Sequence, residues 1–273
     1  MIDALRYEWL RIRTIRSTYW ITAIAVLIGV GLSFLIAMGS SIAYRQTPPS
    51  PQELDFLAPA IVTQFAAVAG PYLIAYVLVI VGVLSWGHEY RHGMIRITLT
   101  ALRSRTQVWI AKFVVIGLWT VATVAAILLF ATLVGWLWLH DDGVRFSGSP
   151  LLRQYGRALL YMLIFVWIGT AAAAIIRNQT AALVVVFLWP LALEPILGLI
   201  IRLIPGMDGL EKVSKAFPFN AGDRLIHSTE VGEALDAFLG GAQISTVAGT
   251  LIFAGFAALV MAVSYLLFLR RDA

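Results

Sequence analysis

The sequence predicts an all-α membrane protein of one domain, residues 1–273: six transmembrane helices, an N-terminal interfacial helix, a cytoplasmic helix between spans 2 and 3, and short exterior helices between spans 5 and 6. Three observations predict it. Hydrophobic residues fill 60% of the 273 positions and charged residues 13%, too little polar surface for a water-soluble globule of this size. Six apolar runs are long enough to cross a hydrocarbon core of about 30 Å, which takes about 20 residues at about 1.5 Å each. Lys and Arg are divided unevenly between the two sets of loops that six crossings create. Cysteine is absent, which excludes disulfides, thiolate metal sites and cysteine nucleophiles. The net charge of +5 is not gathered with aromatic residues into a nucleic-acid patch, so no nucleic-acid partner is expected.

Taken in order, residues 1–17 read as a helix lying on the membrane. Ile2, Leu5, Trp9 and Ile12 recur at helical spacing, while Arg6, Arg11, Arg13 and Arg16 are mostly placed where lipid headgroups could meet them. The apolar run that follows is longer than a signal-peptide core, so no cleaved leader is expected. The spans are placed near Thr18 to Met38, Val68 to Trp86, Trp109 to Leu139, Ala158 to Ile176, Ala181 to Leu203 and Ile244 to Leu269. The third is long enough to tilt or to project beyond the bilayer. Small residues in "GTAAAA" at 169–174 and "AGFAA" at 254–258 suit close helix packing in spans four and six.

Six spans put both termini on one side. The termini, the 87–108 loop with Lys112 just beyond it, and the 177–180 turn hold twelve of the twenty Lys and Arg residues but four of the fifteen acids, a net charge of +8, while the rest of the chain nets −3. The positive-inside rule makes the first set cytoplasmic. Loops near 39–67, 140–157 and 204–243 then face the exterior. Lys112, at the start of the third span, is counted with the cytoplasmic loop, and Glu194 is read as the one formal charge inside the spans.

The 87–108 loop admits two readings. His88, Glu89 and His92 spell H-E-x-x-H, the helix pattern of a zinc site with its own general base, and hence of an integral-membrane metalloprotease. A third ligand is missing on that side: His140 and His227 fall in exterior loops, and Asp3, Glu8 and Asp272 lie near the termini. No metal is therefore expected. Alternatively, on a helix beginning near Glu89, residues Tyr90, Met94, Ile97 and Ala101 form one apolar stripe with Arg96 and Arg103 beside it, suited to a groove on a partner.

The stretch "EYRHGMIRITLTALRSRTQVWIAK" resembles the loop after the second span of ABC-2 type transporter permeases, at Glu89, Gly93, Thr98, Leu99, Arg105 and Lys112. It departs from many relatives in having Ala101-Leu102 where they carry a proline. The order of interfacial helix, six spans, short turn between spans four and five, and long exterior segment is similar too. The resemblance implies a transmembrane subunit whose coupling helix, Glu89 to Leu102, enters a cleft of an ABC ATPase. Glu89, Tyr90, Gly93, Met94, Ile97, Thr98, Leu99, Ala101 and Arg105 are its docking candidates. It also implies two ATPase copies that bind ATP and magnesium, a second permease copy or paralogue, and export. Consistent with a separate energy source, the sequence has no G-x-x-x-x-G-K-[ST] loop and so binds no cofactor of that kind itself. An ATP-independent transporter would be expected to show more ionisable residues at midplane.

Glu194 lies between Pro190 and Pro195, in a part of span five where prolines free backbone carbonyls. Two roles are open to it: a place on a substrate route or subunit contact, or a structural pairing with Arg202 or Arg157. In the exterior segment, Leu210 to Phe217 and Val231 to Leu239 are amphipathic pieces around "FPFNAGD". The resemblance implies paired short helices there that dip back toward the membrane.

Overall fold

The computed structural model describes residues 1–48, 50, 54, 57–58, 61, 73–102, 104–146, 148–204, 211–226 and 244–270, with the side chains of 149, 150, 202, 211 and 212 excepted. Among these residues the chain forms helices and no strand: α1 (Ile2–Thr14), α2 (Arg16–Tyr44), α3 (Leu73–Arg91), α4 (Met94–Ala101), α5 (Arg105–Leu139), α6 (Ser149–Ile176), α7 (Gln179–Leu188), α8 (Glu194–Leu203), α9 (Glu211–Lys215), α10 (Pro218–Gly222) and α11 (Thr246–Arg270). Six helical stretches are long and apolar enough to span a bilayer, α7 and α8 together making one of them. The chain is a multi-pass membrane protein. Residues 68–72 of the expected second span, Arg103 and the piece Val231 to Leu239 lie outside the described residues.

Each helix packs by the face its sequence makes narrow or apolar. In α2, Ala25, Gly29, Ser33, Ala37 and Ser41 recur every fourth position and form the buried side, on which α5 packs. Spans two and four, α3 and α6, form the centre. A Cβ added at Gly82 would collide with Thr170 Oγ1, and one at Gly169 with Val79 Cγ2, so glycine on each helix admits the other. The 35 residues of α5 extend for about 50 Å, more than the bilayer core needs. Spans two and four have 61% of their most apolar window buried, spans one, five and six only 17 to 22%, so the last three present broad apolar faces outward.

Two expectations about helix faces are corrected. The first helix does not turn all its charge to the headgroups. Its buried face is Ala4, Glu8 and Ile12, with Trp9 and Leu10 exposed, and Arg11 points into the protein. The expected single helix from Glu89 to Leu102 is two: α3 runs to Arg91, Gly93 takes a left-handed φ of 65°, and α4 starts at Met94. Glycine reaches that conformation without steric cost, so it sets the corner.

On the far side of the bundle, span five changes winding. Trp189–Leu193 is a π-helical turn, in which the N–H of Glu194 donates to the carbonyl of Trp189. Pro190 and Pro195 cannot donate, and the wider turn relieves the clash of a proline ring with the preceding turn. Beyond it, α10 starts with Pro218 in its first turn and packs on α11. Phe219 of α10 lies edge-on to Phe165 of α6 at 5.5 Å and to Phe253 of α11 at 5.8 Å. Tyr76 of α3 continues this aromatic layer, 5.5 Å from Phe165 and 4.9 Å from Phe187.

Candidate functional site

Four charged side chains from three helices meet at the α4 end of the bundle. Lys112 of α5 is wholly buried and donates to Glu8 Oε1 of α1 at 2.7 Å and to Glu89 Oε1 of α3 at 2.6 Å. Arg11 of α1 pairs with the same two acids, with Glu8 Oε2 at 3.0 Å and with Glu89 Oε1. Arg11 also donates to the Ser85 carbonyl at 2.7 Å, and the Lys112 ammonium sits 4.9 Å from the centre of the Trp86 ring. Two acids face two bases, so the cluster carries no net charge. Opposite charge is what makes their burial tolerable, although Glu89 Oε2 and Arg11 Nε are buried without a hydrogen bond of their own.

This cluster ties together the helix ends beside α4. The helix joins α3 through Gly93, two residues after Arg91 ends it, and Glu89 fixes that end to α1 and α5. The inner face of α4 is Ile95 and Thr98, with Thr98 Oγ1 3.2 Å from the Tyr7 hydroxyl of α1. Leu99, half-buried, packs with Ile95 on the core around Trp86. The outer face holds Met94, 45% exposed, Ile97, 65% exposed, and Ala101. The remaining candidates do not share that face. Tyr90 belongs to α3, stacks on Trp86 at 5.9 Å and lies beneath the Arg177 guanidinium. Arg105 donates to the carbonyls of Phe268 and Leu269, closing the end of the last span. Glu89 is buried and paired with Lys112 and Arg11, unlike the exposed Met94 and Ile97.

Glu194, at the other end, is 1% exposed and finds three N–H donors. Oε1 accepts from Trp189 Nε1 at 3.0 Å and from the Phe219 amide at 3.2 Å; Oε2 accepts from the Asn220 amide at 2.9 Å. Phe219 and Asn220 are first-turn residues of α10, whose amides have no partner within the helix. A carboxylate from span five therefore caps a helix 25 residues away. Among the described side chains its partners are these N–H groups and not Arg157.

A family model described as ABC-2 family transporter protein matches residues 4–206, about three quarters of the chain. The chain belongs to the ABC-2 transporter family. None of the curated proteins matches it. For this ABC-2 protein the match runs from α1 into the residues just after α8, and so takes in the four-charge cluster, α4 and Glu194, while α10 and α11 lie beyond it. It is accordingly a membrane transport component, of a family that typically works with an ABC ATPase.

In the H-E-x-x-H stretch of the ABC-2 protein the carboxylate is engaged elsewhere. Glu89 pairs with Lys112 and Arg11, and His92 Nδ1 lies 2.9 Å from the His88 carbonyl. Among the described residues no three His, Asp or Glu side chains gather closely enough to hold an ion. The residues missed in the sequence are Glu8, Arg11 and Lys112, each of which reads singly as an interfacial or loop charge. A signal was present: Glu8 lies four residues from both Ala4 and Ile12, on the apolar side of an otherwise basic helix.

Proposed function

We propose that the chain is the permease subunit of an ATP-driven ABC-2 exporter in the cell membrane, with both termini cytoplasmic. Two permease chains, either two copies or a copy and a paralogue, would work with two copies of an ABC ATPase that holds the ATP and magnesium. The single observation that carries the reading is α4, a two-turn helix outside the spans that exposes Met94 and Ile97 while Ile95 packs on the core around Trp86 and Thr98 meets the Tyr7 hydroxyl of α1. Large apolar side chains held outward on a rigid support suit a partner's groove.

In this mechanism, closure of the ATPase pair on ATP presses on α4. The rigid junction passes the displacement to α1, α3 and α5 together, because the four charges cannot separate without stranding one another in a dry interior. At the exterior end, α10 and the aromatic layer around Phe219 form the opposing barrier. Export follows when the two states of the spans bind the closed and open ATPase pair with different free energies.

The test is co-purification. Met94→Asp and Ile97→Asp each place a carboxylate in the groove, and each is expected to abolish recovery of the ATPase while membrane insertion persists. Stoichiometric ATPase in both variants would overturn the docking role of α4.

A further inference from the structure

Between the end of α3 and the start of α7 lies a cleft of about 390 Å³, lined by Gly87, Tyr90, Arg91, Arg177, Gln179 and Thr180 among others. Its floor is narrow: a Cβ at Gly87 would stand 2.8 Å from Gln179 Cβ, so the two helices touch there. Two guanidinium groups line it and, among the described residues, no carboxylate does. Glu89 leaves α3 on the other side, toward Lys112.

The backbone is bent to bring this about. Arg177 has φ 57° and ψ 14°, a left-handed conformation uncommon for a residue with a Cβ, and its guanidinium lies 5.4 Å from the centre of the Tyr90 ring. Asn178 then caps α7, its side chain accepting from the Ala181 amide, and the first-turn N–H groups of Gln179 and Thr180 add to the positive end of the helix. The cleft lies at the ends of two helices long and apolar enough to span a bilayer, Leu73–Arg91 and Gln179–Ile201, and the ends of such spans meet the headgroups. Further along α7, Val184, Val185 and Leu188 are exposed, so an apolar wall runs from the charged cleft into the bilayer.

The geometry points to a phosphate-binding site in this cleft, occupied by the headgroup of an anionic phospholipid whose acyl chains follow α7. Arg91 and Arg177 hold the phosphate oxygens by charge-assisted hydrogen bonds, and two guanidinium groups in one cleft favour a lipid with net negative charge. A soluble phosphate or an acidic side chain of a partner would use the same guanidinium groups but would leave the apolar wall unused.

The experiment uses the full chain in nanodiscs of phosphatidylcholine with and without phosphatidylglycerol, reading retained lipid by native mass spectrometry and the melting temperature. The expected result is selective retention of phosphatidylglycerol and a higher melting temperature in its presence. Arg91→Gln and Arg177→Gly should each lower that retention about tenfold, the loss of one charge-assisted contact. Arg177→Gly keeps the left-handed backbone favourable, so the variant folds. Arg13→Gln, an exposed charge on α1, should leave retention unchanged. Equal retention in the wild type and both cleft variants would overturn the site, as would an equal loss in Arg13→Gln. Protection by inorganic phosphate without retained lipid, or loss of a co-purifying ATPase with lipid retention intact, would overturn the headgroup as occupant.

Discussion

Lys112 has the most to lose from substitution, because it is buried between two carboxylates that Arg11 alone cannot neutralise. Lys112→Met is expected to destabilise the protein by about 3–5 kcal/mol, the usual cost of breaking a buried pair from one side. Glu89→Gln combined with Lys112→Met should cost less than the sum of the single changes by more than about 1 kcal/mol, and additivity within about 0.5 kcal/mol would show that the two do not act as a unit. Glu194 belongs to a different class of residue, an acceptor for backbone amides. Glu194→Gln keeps one carbonyl acceptor and presents an N–H group where the other oxygen stood, so α10 loses part of its cap at about 1–2 kcal/mol. Melting temperature and transport should fall together. An unchanged melting temperature with lost substrate stimulation would instead place Glu194 on the substrate's route.

The helices differ in how far their partners could be read from sequence. The six spans were legible because each needs its own long apolar run, a property local to the segment. Where α4 begins was not, since Glu89 to Leu102 has continuous helical periodicity and only the left-handed turn at Gly93 divides it. The inward turn of Glu8 and Arg11 depended on Lys112, more than a hundred residues later, so no local window contained it. The cap of α10 by Glu194 joins two segments in the same non-local way. At the α3–α4 corner, the commitment of Glu89 to its ion pairs gives His88 and His92 no general base. His88→Ala combined with His92→Ala should therefore leave ATPase recovery and transport close to wild type, and a zinc-selective chelator that spares magnesium should do the same. Stoichiometric zinc that disappears in the double variant would restore the metalloprotease.

At the scale of the whole molecule, the absence of cysteine makes any single introduced cysteine a unique reporter of sidedness. Thr100→Cys on α4 should be protected from a membrane-impermeant maleimide in intact cells, and Asp141→Cys, in the turn after α5, should react; the reverse pattern would invert the topology. The positive-inside rule rests on loop charge alone, and two of the charges it counts, Arg11 and Lys112, are enclosed in the protein. The other cationic residues must then carry the orientation. The four-charge cluster also bears on how the chain is made. Glu8 precedes Lys112 by 104 residues, so at roughly 5–20 residues per second the ribosome delivers the lysine about 5–20 s after the glutamate. Until then a nascent chain holding only α1 to α3 has Glu8 and Glu89 with a single counter-ion. Their joint burial waits for the third span to arrive in the correct orientation, and a chain in which that span is missing or inverted leaves two carboxylates at this junction with one counter-ion between them.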